Sequence, residues 1–147
     1  MVSLSARWPR HQSVVILLQK INTVLVRAIS PGEIMPHKVL AVDDDLSMLR
    51  VIALALAVDG YQVVTAQSAE AARAILCTQQ IALCLMDINL PDADGMDLIA
   101  EFRVAYAMPI IILTGMAADT IPGADDFIAK PFRILDLRAR VRAALHP

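Results

Sequence analysis

Six polar residues of this chain stand where short apolar runs end, and they are of the types that phosphate chemistry uses. They are Asp43, Asp44, Asp45, Asp87, Thr114 and Lys130. Carboxylates held close together repel one another unless a cation intervenes, and a hard divalent ion with oxygen ligands is the natural remedy. Mg2+ suits best, because it binds one or two carboxylates and shares its other positions with water and phosphate oxygens.

Such a set of residues could also carry out phosphoryl transfer. Asp87 could attack as the nucleophile, while Lys130 and the metal each bind a phosphoryl oxygen and Thr114 donates a hydrogen bond to a third. Taken singly, Asp43, Asp44, Asp45 and Lys130 also have ordinary structural explanations. An aspartate can cap a helix, which is the better interpretation of Asp45, and a lysine can be solvated at the surface.

Alternating apolar runs and helical periodicity predict the elements that position these residues. Buried strands are expected at 38–43, 61–66, 81–87, 109–114 and 126–129. Helices are expected at 45–60, 68–80, 96–106 and 132–145, with Ser68 as an N-cap and "PDADG" (91–95) as a turn. Strands that alternate with helices form a parallel sheet covered on both faces, and function gathers at the carboxyl ends of its strands. The six polar residues should therefore share one rim.

Four motifs, in this order, resemble those of bacterial response-regulator receiver domains. They are "VLAVDDD", "LCLMDINLPDADG", "IIILTG" and "DDFIAKPF", within a stretch from Lys38 to about Leu145. The resemblance implies an α/β fold of the flavodoxin-like, doubly wound type, with a five-stranded parallel sheet in the order 2-1-3-4-5. Between Thr114 and Lys130 the chain is several residues shorter than is usual in the family, so the fourth helix is expected to be shortened to a turn.

The resemblance assigns the metal and phosphoryl chemistry to particular residues. Asp87 would be the phosphoacceptor, and Lys130 would contact the phosphoryl group. Mg2+ would be bound by Asp43, Asp44, Asp87 and the backbone carbonyl of Asn89.

The resemblance also implies a conformational switch. Thr114 would sense the phosphoryl group through its hydroxyl, and Phe127 would move inward as the threonine reorients. The peptide bond between Lys130 and Pro131 would be cis, as it is in the family.

The function implied is that of a phosphoacceptor in a two-component phosphorelay. A sensor histidine kinase or a histidine phosphotransfer protein would supply the phosphoryl group, and the receiver would signal to a downstream protein without an attached output domain. It would assist only its own phosphorylation and dephosphorylation, so we do not expect a turnover enzyme. The alternative is a degenerate receiver that acts as a phosphorylation-independent interaction module. The shortened helix motivates that alternative, and the complete acid, threonine and lysine set argues against it.

Composition narrows the choice of partners and compartment. The net charge of -2 and the pI of about 5.8 leave no basic surface for direct nucleic-acid binding. Cys77 and Cys84 lack metal-site or redox spacing, which fits a reducing cytoplasm. These features predict a cytoplasmic protein whose partners are other proteins.

The residues before the receiver-like region have a different pattern. Residues 37–147 form the expected receiver domain, and residues 1–36 form an N-terminal extension with a basic, amphipathic stretch. The extension could be poorly ordered, could be a helix that docks on a partner or a membrane, or could result from a mis-assigned start before Met35. Polar residues interrupt its apolar stretch well before the roughly 20 residues that a membrane span needs.

Overall fold

Five short parallel strands form one sheet in the order β2-β1-β3-β4-β5. The computed structural model describes residues 36–116 and 120–147, so the predicted N-terminal extension lies outside the described residues except for Pro36. The strands are β1 (Lys38–Val42), β2 (Gln62–Ala66), β3 (Leu83–Asp87), β4 (Ile110–Thr114) and β5 (Asp126–Ala129). The predicted flavodoxin-like fold and strand order are confirmed.

Four helices lie in the described part of the chain, and three of them begin at a side-chain cap. They are α1 (Leu46–Ala57), α2 (Ala69–Thr78), α3 (Gly95–Ala105) and α4 (Ile134–Leu145). Asp45, Ser68 and Asp94 accept hydrogen bonds from backbone N–H groups in the first turns of α1, α2 and α3, as N-cap residues do. No helix in the described ranges has the length and apolar character to cross a bilayer.

The three central strands, β1, β3 and β4, bury side chains on both faces, which explains their continuous apolar runs. One core cluster lies beneath α1 and α4, and its strand residues are Val39, Ala41, Leu83, Leu85, Ile111, Leu113 and Ile128. The other lies beneath α2 and α3, and its strand residues are Leu40, Val42, Ala66, Cys84, Met86, Ile110 and Ile112. We call these sides of the sheet the α1/α4 face and the α2/α3 face. Alternation along each strand assigns successive residues to opposite faces.

The connection between β4 and β5 has no helix in its described residues, 115–116 and 120–125, in agreement with the predicted shortening. Ile121 is buried in the core of the α2/α3 face. The Arg103 guanidinium reaches from α3 to this connection, donating to the Gly123 carbonyl at 2.5 Å and pairing with the Asp125 carboxylate. It also donates to the Met108 carbonyl at 2.9 Å, so a single side chain ties α3 to the residues that precede β4 and to those that precede β5.

Candidate functional site

The carboxyl ends of four strands bring the predicted site residues to one rim of the sheet. Asp87 and Thr114 are the last residues of β3 and β4, while Asp43 and Lys130 directly follow β1 and β5. The parallel register places these ends side by side: Val42 pairs with Met86, Asp87 with Leu113, and Thr114 with Ala129. Residues far apart in sequence thereby become neighbours.

Three carboxylates form the acidic centre of this rim. Asp43, Asp44 and Asp87 each offer an oxygen, and these oxygens lie within 4.8 Å of one another. Asp43 and Asp87 are only 1% and 7% exposed, whereas Asp44 is exposed to solvent. Hard oxygen ligands that are anchored on one side and open to water on the other fit Mg2+, which retains several water ligands in proteins.

The Lys130 ammonium compensates the two buried carboxylates. Its Nζ donates to Asp43 Oδ2 at 2.8 Å and to Asp87 Oδ2 at 2.9 Å. Burial by itself lowers the pKa of Lys130, but the hydrogen bonds and charges of Asp43 and Asp87 outweigh it and raise that pKa above its ordinary value. Lys130 is therefore cationic at neutral pH, and its charge makes burial of both aspartates tolerable.

Backbone N–H groups orient the remaining oxygens of the same two carboxylates. Asp43 Oδ1 accepts from the Asp45 N–H, and Asp87 Oδ1 accepts from the Asn89 N–H, each at 2.9 Å. The Asp45 side chain turns away from the cluster and accepts from Ser47 N–H at 2.8 Å, which is the capping role expected of it. Asn89 lies beside Asp87, where its backbone carbonyl is the fourth predicted metal ligand.

Thr114 and Phe127 occupy different environments near the rim. Thr114 is 1% exposed, and its hydroxyl accepts from the Met116 N–H at 3.0 Å, while its carbonyl accepts from the Lys130 N–H at 2.6 Å. Phe127 is half-buried and packs against the core of the α2/α3 face. The peptide bond between Lys130 and Pro131 is cis.

Asp92 has a role that the sequence did not indicate. It belongs to the "PDADG" turn, yet its carboxylate accepts from the Ala69 N–H at 2.8 Å and the Glu70 N–H at 3.0 Å, at the start of α2. These hydrogen bonds lower the pKa of Asp92 below its usual value. No local signal could have revealed this pairing, because its partners lie 22 and 23 residues away in sequence.

Residues 39–142 match the family model described as the response regulator receiver domain. Similar curated proteins include the probable transcriptional regulator ycf27 of Cyanophora paradoxa, 40% identical over 119 residues that make up 77% of this chain and 50% of that protein. The transcriptional regulatory protein BasR of Escherichia coli is 37% identical over 117 residues, covering 74% and 52% of the two chains. This chain thus spans about half the length of the curated relatives it matches.

Solved structures of similar fold include two receiver proteins. A CheY-like receiver domain protein from Methanospirillum hungatei aligns with a TM-score of 0.70 and 30% identity, covering 76% of this chain and 94% of that one. The response regulator TrrA from Thermotoga maritima, solved in complex with Mg(2+)-BeF, aligns with a TM-score of 0.69 and 26% identity, covering 74% and 99%.

Proposed function

We propose, from the premise that this chain belongs to the response regulator receiver domain family, that Asp87 is the phosphoacceptor of a two-component phosphorelay. Phosphorylation on an aspartate is general in this family of signalling domains. One observation carries the assignment to Asp87. Its buried carboxylate lies within 4.8 Å of the Asp43 and Asp44 oxygens and 2.9 Å from the Lys130 ammonium.

The chemistry follows from where each carboxylate oxygen points. An Asp87 oxygen attacks the phosphorus of a phosphohistidine, forming an acyl phosphate as the bond from phosphorus to the histidine nitrogen breaks. Lys130, whose ammonium donates to Asp87 Oδ2, then donates to a phosphoryl oxygen instead and neutralises part of the phosphoryl charge. The Asn89 N–H holds the other carboxylate oxygen, so the nucleophile enters the reaction already oriented.

The metal site proposed for this reaction uses Asp43, Asp44, Asp87 and the backbone carbonyl of Asn89. The donor set is made of oxygen atoms only, and the exposed side of the cluster at Asp44 leaves room for water. Bound Mg2+ supplies neutralisation of the charge on the transferring phosphoryl oxygens. Receiver domains bind Mg2+ at acidic residues of this kind, and TrrA was solved with Mg2+ and a beryllofluoride.

Switching is proposed to start at Thr114. Its hydroxyl accepts from the Met116 N–H and still carries its own proton, so it can donate to a phosphoryl oxygen on Asp87 in the adjacent strand. Phe127 pairs with Ile112, two residues before Thr114 on β4. A shift of the threonine would therefore change the packing around the half-buried Phe127 ring. Phe127 lacks a hydroxyl, so it reports the change by packing alone.

The phosphodonor proposed for Asp87 is a sensor histidine kinase or a histidine phosphotransfer protein. The test uses a small donor so that no cognate kinase is needed. Purified protein is incubated with acetyl phosphate and Mg2+, and intact mass is measured for the wild type, for Asp87→Asn and without metal. Asp97→Asn, an exposed aspartate in the first turn of α3, is the matched control.

We expect a gain of one phosphoryl group that requires both Mg2+ and Asp87, is lost in mild alkali, and persists in Asp97→Asn. No gain in the folded wild type with metal present would favour the alternative, a degenerate receiver that binds partners without being phosphorylated. A gain that persists in Asp87→Asn would place the phosphoryl group on another residue.

A further inference from the structure

The loop between β3 and α3, residues 88–94, is attached to α2 at its tip, and we infer that Asp92 is a positioning residue for the Mg2+ site. Resting on the proposed function, this inference assigns to Asp92 the task of fixing the loop that carries the Asn89 carbonyl. Asp92 itself is exposed and contacts neither the acidic cluster nor Lys130 among its observed hydrogen bonds. It acts through the backbone.

The first turn of α2 takes its caps from two different parts of the chain. Ser68, the N-cap residue, accepts from the Ala71 N–H at 3.1 Å. Asp92 accepts from the Ala69 and Glu70 N–H groups at 2.8 and 3.0 Å. These N–H groups have no partner within the helix, so each needs an acceptor from outside it. Asp92 satisfies two of them and thereby holds the loop against α2.

The base of the loop is constrained by its own geometry. Asn89 and Asp94 form an antiparallel bridge across it. Gly95 is packed so closely that a Cβ there would lie 2.3 Å from the Ile88 carbonyl oxygen. The Asn89–Asp94 bridge joins the two sides of the loop into one unit, so we expect loss of the Asp92 attachment at the tip to shift the whole loop, Asn89 included.

The same segment that Asp92 contacts also touches the acidic pair. The Asp43 N–H donates to the carbonyl of Ala66, the last residue of β2 and three residues before α2. The stretch from Ala66 to Glu70 is therefore bonded on one side to the residue that offers an acidic ligand and on the other to the loop that offers the Asn89 carbonyl. The Asp92 carboxylate thus completes a chain of hydrogen bonds that connects Asp43 with the loop that carries Asn89.

Mg2+ makes such a link consequential, because it demands nearly ideal octahedral geometry and short ligand distances. A small shift of the loop would move the Asn89 carbonyl while the carboxylate ligands stay in place. Groups outside the direct ligands commonly change metal affinity by about 10- to 100-fold when they are removed. We expect the loss of Mg2+ affinity without Asp92 to fall at the lower end of that range, because Asp92 does not contact Asn89 and acts on it only through the intervening loop residues.

The test compares two caps of one helix. Mg2+ alone is titrated into the full chain while the amide resonances of Asp87 and Asn89 are followed by NMR, for the wild type, Asp92→Ala, Asp92→Asn and Ser68→Ala. Ser68→Ala removes an α2 cap without freeing the loop, so it controls for loss of helix stability. Thermal unfolding of each variant establishes that it is folded during the titration.

Asp92→Ala should bind Mg2+ about 10-fold more weakly, while Ser68→Ala binds as the wild type does. Asp92→Asn should fall between them, because its amide oxygen still accepts a hydrogen bond. Unchanged affinity in Asp92→Ala, or an equal loss in Ser68→Ala, would overturn the inference. If the wild type binds Mg2+ but acetyl phosphate does not modify it, the phosphoacceptor proposal fails while the effect of Asp92 on Mg2+ affinity is still measured.

Discussion

The two faces of the sheet are closed by different means. On the α1/α4 face, two full helices cover the strands, and buried side chains such as Leu137 and Val141 fill the space beneath them. On the α2/α3 face, two helices share the task with the β4–β5 connection, whose described residues, 115–116 and 120–125, are not helical. There Ile121 of the connection is buried in the core, and Ala124 and the half-buried Phe127 pack against the same cluster.

Each face also has an ion pair between an arginine on one of its helices and an aspartate in another part of the chain. Arg138 on α4 donates to both oxygens of Asp59 at 2.8 and 2.6 Å, joining α4 to the end of α1. Arg103 on α3 joins the β4–β5 connection through Gly123 and Asp125. The first link joins helices that already pack together, whereas the second joins a helix to the connection between two strands.

The residues proposed for phosphorylation and those proposed for the switch lie in different relations to the β4–β5 connection. All the proposed ligands and Lys130 come from strand ends or from the loop after β3, so they do not depend on a helix between β4 and β5. The proposed switch residues, Thr114 and Phe127, border that connection instead. The departure from the family pattern therefore lies in the region that would relay the signal, and the residues proposed for phosphorylation are complete.

The largest effects are expected from substitutions that compare the packing beneath α4 with the packing of the β4–β5 connection. Leu137→Ala should lower the free energy of unfolding by about 2–5 kcal/mol, because Leu137 is fully buried. The rigid helix α4 cannot move in to fill the cavity that the substitution leaves. Ile121→Ala should cost about 2 kcal/mol, at the lower end of that range, since a short connection can close around the gap. Urea unfolding measures both, and equal losses would contradict the difference between the faces.

A smaller effect is expected from removing the Arg103 link. Arg103→Ala should cost about 1–2 kcal/mol, because its hydrogen bonds involve charges but its side chain remains partly exposed. Arg73→Ala breaks the exposed pair with Glu101 and should cost about 0–1 kcal/mol, which makes it the matched control. Hydrogen exchange at the Ala124 and Asp125 amides should accelerate in Arg103→Ala alone. Equal stability losses would mean that Arg103 does not hold the connection.

The smallest effect, and one that depends on pH, is expected for the Asp59 link. The hydrogen bond from Arg138, with the charges of Arg138 and Arg142, lowers the pKa of Asp59 from 3.8 to about 2. A carboxyl with a depressed pKa in the folded state contributes stability above its unfolded pKa and loses that contribution as the pH falls through its folded pKa.

Asp59→Asn should therefore be less stable than the wild type at neutral pH, with the difference shrinking between about pH 4 and pH 2. Urea unfolding midpoints of the two proteins across this range measure it. A difference that stays constant down to pH 2 would show that the ionised carboxylate is not what stabilises the link.

The amino-acid sequence alone determined the fold and the composition of the rim. Runs such as "LCLMD" and "IIILT" are apolar at successive positions, which is typical of a strand buried on both faces of a sheet. Parallel strands alternating with helices place their carboxyl ends together, so polar residues at those ends must meet. The bounds were less exact: the strand predicted from residue 81 begins at Leu83, and the last helix begins at Ile134 instead of 132. Local propensity alone does not locate where an element ends.

Only the tertiary structure decided which groups bond across the molecule. Lys130 lies between Asp43 and Asp87, which are 87 and 43 residues away, and Arg103 reaches a connection 20 residues further along the chain. Asp92, which the sequence presents as a turn residue, caps a helix that precedes it. Such pairs depend on the packing distance between elements, and the spacing of residues along one element carries no information about that distance.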